Sequence, residues 1–152
     1  MIGALIPPAT RRPAQTGPLL APEPRRLNLP SEADTGSLDL DIAQLDGSGR
    51  FSARSLLRDL GWNPGHRIDL TVVGDIVIVG SSPTGRHRIG ARGDLAVPGS
   101  ARMLLGLEPG HRVMVVAAPR QDILLVHPHT LITALLASYY GEQPQGREGD
   151  GR

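Results

Sequence analysis

A repeated phrase is the feature of this sequence that most constrains its fold. Residues 60–70 read LGWNPGHRIDL and residues 105–115 read LGLEPGHRVMV, so six of the eleven positions are identical at an offset of 45 residues. Most of the differing positions exchange one apolar side chain for another, as Ile68 does with Val113. A fixed period of this length indicates a duplicated structural unit. A unit of about 40 residues cannot bury enough surface to be stable alone. We therefore expect the two copies to complete one core together.

Turn and capping residues divide both copies into the same elements. In copy one, LDLDIAQLD (38–46) alternates apolar and polar residues, which predicts a half-buried strand, and GSGRF adds a turn and a second extended piece. A short helix then ends at Gly61, and two strands are joined by a tight turn at Gly74. Copy two repeats this order, with Pro98 suited to the start of its helix and Gly106 to its end. The predicted fold is mainly β with short helices.

Composition sets the outer boundaries of the two copies. Residues 1–37 are rich in Pro, Ala, Thr and Ser and show no period, so we expect a disordered leader. Near the other end, Leu131, Leu135 and Tyr139 recur at helical spacing and predict one amphipathic helix. The expected segments are copy one at 38–80, a linker at 81–85, copy two at 86–127, the helix at 128–140 and a disordered tail at 141–152.

Composition also narrows the class of protein. The chain contains no cysteine, which excludes disulfides and thiolate metal sites. No apolar run approaches the length of a membrane span, and the apolar start lacks a preceding basic region, so we expect neither a membrane segment nor a signal peptide. The expected location is the cytoplasm, in association with the nucleoid if the chain binds DNA. The net charge is only +1, so an argument for nucleic-acid binding must depend on local clusters of charge.

Arginines form two such clusters. Arg50, Arg54 and Arg58 lie within nine residues, and Arg88 and Arg92 lie at the start of copy two. Arg102 stands on the second predicted helix. If the copies pack about an approximate twofold axis, both clusters can fall on one face and contact the phosphates of a duplex, because a guanidinium is a planar fork of donors. Without further support, the simpler interpretation is that these arginines are solvated surface residues.

The ordered set of residues in each copy resembles the SpoVT/AbrB domain, which MazE-type antitoxins and MraZ share. The resemblance covers roughly residues 40–127. In copy one the matching positions are Asp46, Gly49, Arg50, Leu57, Arg58, Leu60, Gly61, Gly65 and Asp75. In copy two they are Gly93, Leu95, Pro98, Arg102, Leu105, Gly106, Gly110 and Asp122. The resemblance implies two tandem swapped-hairpin repeats, interleaved into one barrel-like body, that bind duplex DNA through loop and helix arginines.

This sequence also departs from the family pattern. Arg50 is matched in copy two by Asp94, and Asp46 is matched by Gly90. The two halves therefore cannot make identical contacts with DNA: either the binding face is asymmetric, or copy two is mainly structural. The expected DNA-binding residues are Arg50, Arg54, Arg58, Arg88, Arg92 and Arg102. Asp46 is expected to be structural, as an acceptor for the backbone of its turn.

Three functions follow from these patterns. The first is a DNA-binding transcriptional regulator that self-associates as a dimer or higher oligomer. The alternative is a MazE-like antitoxin, in which the C-terminal helix binds a toxin or another protein. The third is an enzyme, for which IVIVGSSPTG (76–85) is the only motif, and Ser82 replaces its middle glycine where a pyrophosphate must approach the backbone. His127 and His129 have no partner cluster for a metal. We expect no catalytic residue and no cofactor.

Overall fold

The computed structural model of the chain describes residues 28–144. A 3-10 helix at Glu32–Ser37 is followed by eight strands and three α-helices. Copy one contributes β1 (Asp39–Gln44), β2 (Arg50–Ser52), α1 (Arg54–Leu60), β3 (Arg67–Val73) and β4 (Ile76–Ser81). Copy two contributes β5 (His87–Arg88), β6 (Asp94–Ala96), α2 (Gly99–Leu105), β7 (Arg112–Ala118) and β8 (Ile123–Pro128), and α3 (His129–Gly141) follows. The prediction of a mainly β fold with short helices and a C-terminal helix is confirmed.

Strand pairing interleaves the two copies. The six-stranded antiparallel sheet has the order β1-β7-β8-β4-β3-β5, and β2 pairs with β6 in a separate two-stranded ribbon. The first strand of each copy therefore lies against the hairpin of the other copy: β1 pairs with β7, and β5 pairs with β3. β1 and β5 do not pair with each other among the described residues. The described pairings are those of an antiparallel sheet.

An approximate twofold axis relates the backbones of the two copies. Equivalent residues face each other at two places, Phe51 with Leu95 in the ribbon and Ile78 with Leu125 in the sheet. Hydrogen bonds repeat in the same way: the amide of Gly65 donates to the carbonyl of Ile89, and the amide of Gly110 donates to that of Leu45, both at 2.8 Å. The repeat read from the sequence is therefore a repeat of backbone geometry.

One large core fills the space between the sheet and the two short helices. Every second residue of the central strands points into it, including Val77, Val79 and Val115, which are buried. Burying side chains of this size contributes roughly 1.5–3 kcal/mol each. The single tryptophan, Trp62, is also buried, and its indole Nε1 donates to Asp122 Oδ1 at 2.9 Å. This bond ties the end of α1 to the turn of the β7–β8 hairpin.

The predicted disordered leader is wrong at its end. Residues 32–37 form a 3-10 helix that Ser31 caps. The Ser31 hydroxyl accepts a hydrogen bond from the amide of Ala33, and the Asp34 carboxylate accepts one from the amide of Ser31. Asp34 is buried, accepts a hydrogen bond from Gln121 Nε2 at 3.1 Å and lies 3.6 Å from Arg120 Nη1. A capping box and the contact with Gln121 hold this stretch in place, so it folds without a periodic pattern of apolar residues. Residues 1–27 and 145–152 of the predicted leader and tail lie outside the described residues.

Two elements are more exposed than their patterns predict. Leu40 and Ile42 of β1 are 57% and 55% exposed, because they lie on the face of the sheet opposite the main core, across from Val116 and Met114. The helix α3 buries none of its residues. Within the described part of the chain, the helices are too short or too polar to cross a bilayer.

Candidate nucleic-acid interface

The β2–β6 ribbon brings arginines of both copies into the lining of one groove. The ribbon pairs Arg50 with Ala96 and Ser52 with Asp94. The groove has a volume of about 580 Å³ and lies between the start of copy one's helix and the turn before β6. Its lining residues are Gln44, Asp46, Arg50, Phe51, Ser52, Arg54, Gly90, Ala91, Arg92 and Asp94. Three of the six predicted DNA-binding arginines therefore meet in this groove.

Arg50 and Asp94 form an ion pair across the ribbon. Arg50 Nε donates to Asp94 Oδ2 at 2.5 Å, and both side chains are partly exposed. The hydrogen bond from Arg50 holds the pKa of the Asp94 carboxyl below its usual value, so the pair is charged at neutral pH. The equivalent positions of the two copies thus contact each other directly. The two terminal nitrogens of the Arg50 guanidinium make no hydrogen bond or ion pair within residues 28–144.

Asp46 holds the turn that leads into β2. Its Oδ1 accepts hydrogen bonds from the amides of Ser48 at 2.8 Å and Arg50 at 3.0 Å, and from the Ser48 hydroxyl at 2.9 Å. Bonds from these backbone amides lower the pKa of the Asp46 carboxyl. The predicted structural role of Asp46 agrees with this geometry. Its negative charge is already neutralised in part by backbone dipoles at the edge of the groove.

Arg54 and Arg92 lie side by side, although they come from different copies. Arg54 Nε donates to the carbonyl of Arg92 at 3.2 Å, and the Arg54 stem packs on Gly93 so closely that an added Cβ there would lie 2.6 Å from Arg54 Cγ. The side chain of Arg92 is exposed and makes no hydrogen bond or ion pair within residues 28–144. Its guanidinium is therefore available to a ligand in the groove.

Arg102 packs on the turn that precedes β2, on the other side of the axis from Arg54. Its guanidinium packs over Gly49, as the Arg54 stem packs over Gly93, and Arg102 Nε donates to the carbonyl of Val97 at 2.9 Å. Arg102 is partly buried and does not line the groove. It secures the turn that precedes β2.

Arg58 and Arg88 lie outside the groove. Arg58 is exposed in the last turn of α1, one helical turn beyond Arg54. Arg88 is exposed on the edge strand β5 and is paired in register with Arg67 of β3. The structure therefore brings together Arg50, Arg54 and Arg92, places Arg102 behind them, and separates Arg58 and Arg88 from them.

Groove residues that the sequence reasoning did not select are mostly small or uncharged. Gln44, Ser52 and Asp94 line the groove. One signal could have identified Asp94: it is the repeat equivalent of Arg50, and equivalent residues meet wherever an approximate twofold axis passes between paired strands. Nothing in the sequence distinguishes Gln44 or Ser52 from other exposed polar residues.

Of the two histidines near the C-terminal helix, one contacts a backbone carbonyl and the other begins the helix. His127 Nδ1 lies 3.0 Å from the carbonyl oxygen of Met114, and His129 begins α3. No three His, Asp or Glu residues of the described range 28–144 are grouped as a metal site would require.

Comparison with protein-family models, with curated proteins and with solved structures found no match to this chain.

Proposed function

We propose that this chain binds duplex DNA as a transcriptional regulator, and that the groove beside the β2–β6 ribbon is its contact surface. The observation that carries the proposal is the meeting of Arg50 and Arg54 of copy one with Arg92 of copy two in one groove. Arg92 lies 38 residues beyond Arg54 in the sequence, and the interleaved pairing brings it to the two arginines of copy one. The two acidic groups of the groove, Asp46 and Asp94, are already engaged with backbone amides and with Arg50.

The chemistry of the groove fits an anionic polymer better than a small anion. The groove is open to solvent and its arginines are exposed or half-exposed, whereas small-ligand sites enclose most of the ligand. Arginine forks bind phosphate oxygens bidentately and also reach base edges in the major groove. The interleaved strand order and the resemblance of the sequence to the SpoVT/AbrB domain support the same proposal, with the two copies forming one swapped-hairpin body.

The test is fluorescence anisotropy of a labelled duplex from the region upstream of the protein's own gene, beside a random duplex of equal length. Binding is expected to weaken with salt along a log–log slope of about −3 if three arginines each neutralise one phosphate. Absence of binding to either duplex at low salt would overturn the proposal.

A matched pair of variants locates the contact. Arg92→Ala removes an exposed guanidinium that has no partner within residues 28–144, so the fold should not change. We expect weaker binding and a salt slope shallower by about 1. Arg120→Ala removes the same charge from the β7–β8 turn, outside the groove, and should leave the slope unchanged. Equal effects of the two variants would show that the attraction is not localised in the groove.

A second candidate function concerns α3. This helix exposes Leu135, Leu136, Tyr139 and Tyr140, of which Leu135 is 57% and Tyr139 58% exposed. Exposed apolar groups concentrated on one helix are typical of a surface that binds a protein. This favours a MazE-like antitoxin or self-association through α3. Sedimentation of the full chain, alone and with the product of the neighbouring gene, tests both; a monomer under both conditions contradicts the candidate.

A further inference from the structure

The backbone around the groove obeys the approximate twofold axis closely. The amide of Ala53 donates to the carbonyl of Gly93 at 3.1 Å, and the equivalent amide of Val97 donates to that of Gly49 at 2.9 Å. The turns that precede β2 and β6 are closed by the same hydrogen bond, at 2.9 Å in each copy. On the backbone alone, the surface would present two equivalent halves to a ligand.

The side chains break this symmetry at each of the three groove arginines. The repeat equivalent of Arg50 is Asp94, and that of Arg92 is Ser48. The equivalent of Arg54, at the start of the helix, is Gly99 of α2. At the places equivalent to the three groove arginines, the other half carries a carboxylate, a hydroxyl and a glycine, and its own arginine, Arg102, packs on Gly49 outside the groove.

We infer that one chain binds duplex DNA in a single orientation and selects a non-palindromic site. The inference rests on the proposed function and defines its substrate class. The phosphates of a duplex are themselves related by local twofold axes, so charge alone does not distinguish the two orientations. Contacts to base edges and to groove width do distinguish them, and here the groups able to make such contacts lie on one half only. A symmetric surface would instead favour a palindrome.

Directed cleavage tests the orientation, because the chain has no cysteine and each introduced thiol is unique. Asn63 and Glu108 are exposed, are equivalent in the two Pro-Gly turns, and do not line the groove. Their turns lie beside Ile89 and Leu45 respectively, on opposite sides of the axis. Asn63→Cys and Glu108→Cys would each carry an iron–EDTA group, and the duplex would be one selected from a random pool by the full chain.

The expected result is cleavage on one side of the selected site by the Asn63→Cys conjugate and on the other side by the Glu108→Cys conjugate. One bidentate arginine–base contact discriminates by about tenfold or more, so the favoured side should exceed the other by about tenfold. Ser48→Arg, which supplies the missing equivalent of Arg92, should reduce this ratio. Equal cleavage by each conjugate on both sides of the segment that one chain contacts would overturn the inference and leave the proposed function standing. Selection of no duplex would overturn the proposed function itself.

Discussion

Replacement of Gly49 by alanine tests how the fold fixes the turn at the edge of the groove. Gly49 has a φ of +83°, and a Cβ added to it would lie 2.6 Å from Nε and 2.8 Å from Cζ of Arg102. An alanine in the left-handed region costs about 1–2 kcal/mol. The Arg102 side chain must also move, and its hydrogen bond to the Val97 carbonyl is then lost.

The expected cost has two parts that can be separated. A hydrogen bond from a charged donor is worth about 1.5–3 kcal/mol, and the lower figure applies because Arg102 is only partly buried and can regain water. With about 1 kcal/mol for the backbone conformation, Gly49→Ala should lower the free energy of unfolding by about 2.5 kcal/mol. Gly61→Ala is the matched control. Its φ is +75° and no atom lies within 4 Å of the added Cβ, so it should cost about 1 kcal/mol.

Urea unfolding followed by the fluorescence of Trp62 measures both variants, since Trp62 is the single tryptophan and is only 3% exposed. A double-mutant cycle isolates the contact. When Arg102 is already alanine, Gly49→Ala should cost only the backbone strain, which gives a coupling of about 1.5 kcal/mol. If Gly49→Ala costs the same with and without the Arg102 side chain, the packing of Arg102 on Gly49 does not stabilise the turn, and the reasoning fails.

Three further predictions concern single carboxylates. Asp94→Asn should tighten duplex binding in anisotropy titrations at one fixed salt concentration, since it removes the carboxylate that competes with phosphate for Arg50, whereas Asp75→Asn, outside the groove, should leave the affinity unchanged. The pKa of Asp46 is lowered in the folded state, so its carboxylate stabilises the fold above the unfolded pKa, and this stability is lost as the pH falls through the lower folded pKa. Asp46→Asn should therefore flatten the dependence of the unfolding free energy on pH below about pH 4. An unchanged profile contradicts this. Asp122 has a φ of +58° and accepts the Trp62 indole bond, so in urea unfolding Asp122→Ala should cost about 2 kcal/mol and Asp122→Asn much less; equal losses would contradict this account.

Local signals made the elements of each copy predictable from sequence. Gly61 and Gly106 end the two short helices with φ values of +75° and +66°, which glycine adopts readily. The interleaving was also predictable in outline, because neither copy has enough apolar residues for a core of its own. The order of the strands required the structure, since pairing of β1 with β7 depends on contacts far apart in the chain.

The groove was predictable only in part, because it depends on tertiary geometry. Arg54 and Arg58 share one side of α1, but one helical turn, about 5.4 Å along the axis, carries Arg58 past the groove. Arg88 was expected to contact DNA but lies on an edge strand, outside the groove. The pairing of Arg50 with Asp94 follows from an axis that no local pattern reveals.

The interleaving of the copies has a consequence for how the chain folds. Within residues 28–144, β1 pairs with β7 alone, and the side chain of Gln44 bonds to the carbonyl of Gly110, 66 residues further along. Contacts between such distant residues must close a long loop before they stabilise anything, which places folding in the slow range of milliseconds to seconds. During synthesis, β2 remains without its partner until β6 has emerged from the ribosome, and β1 remains without its partner until β7 has emerged, near the end of copy two. Copy one alone would be an aggregation-prone fragment, and separately made halves would have to find each other to fold.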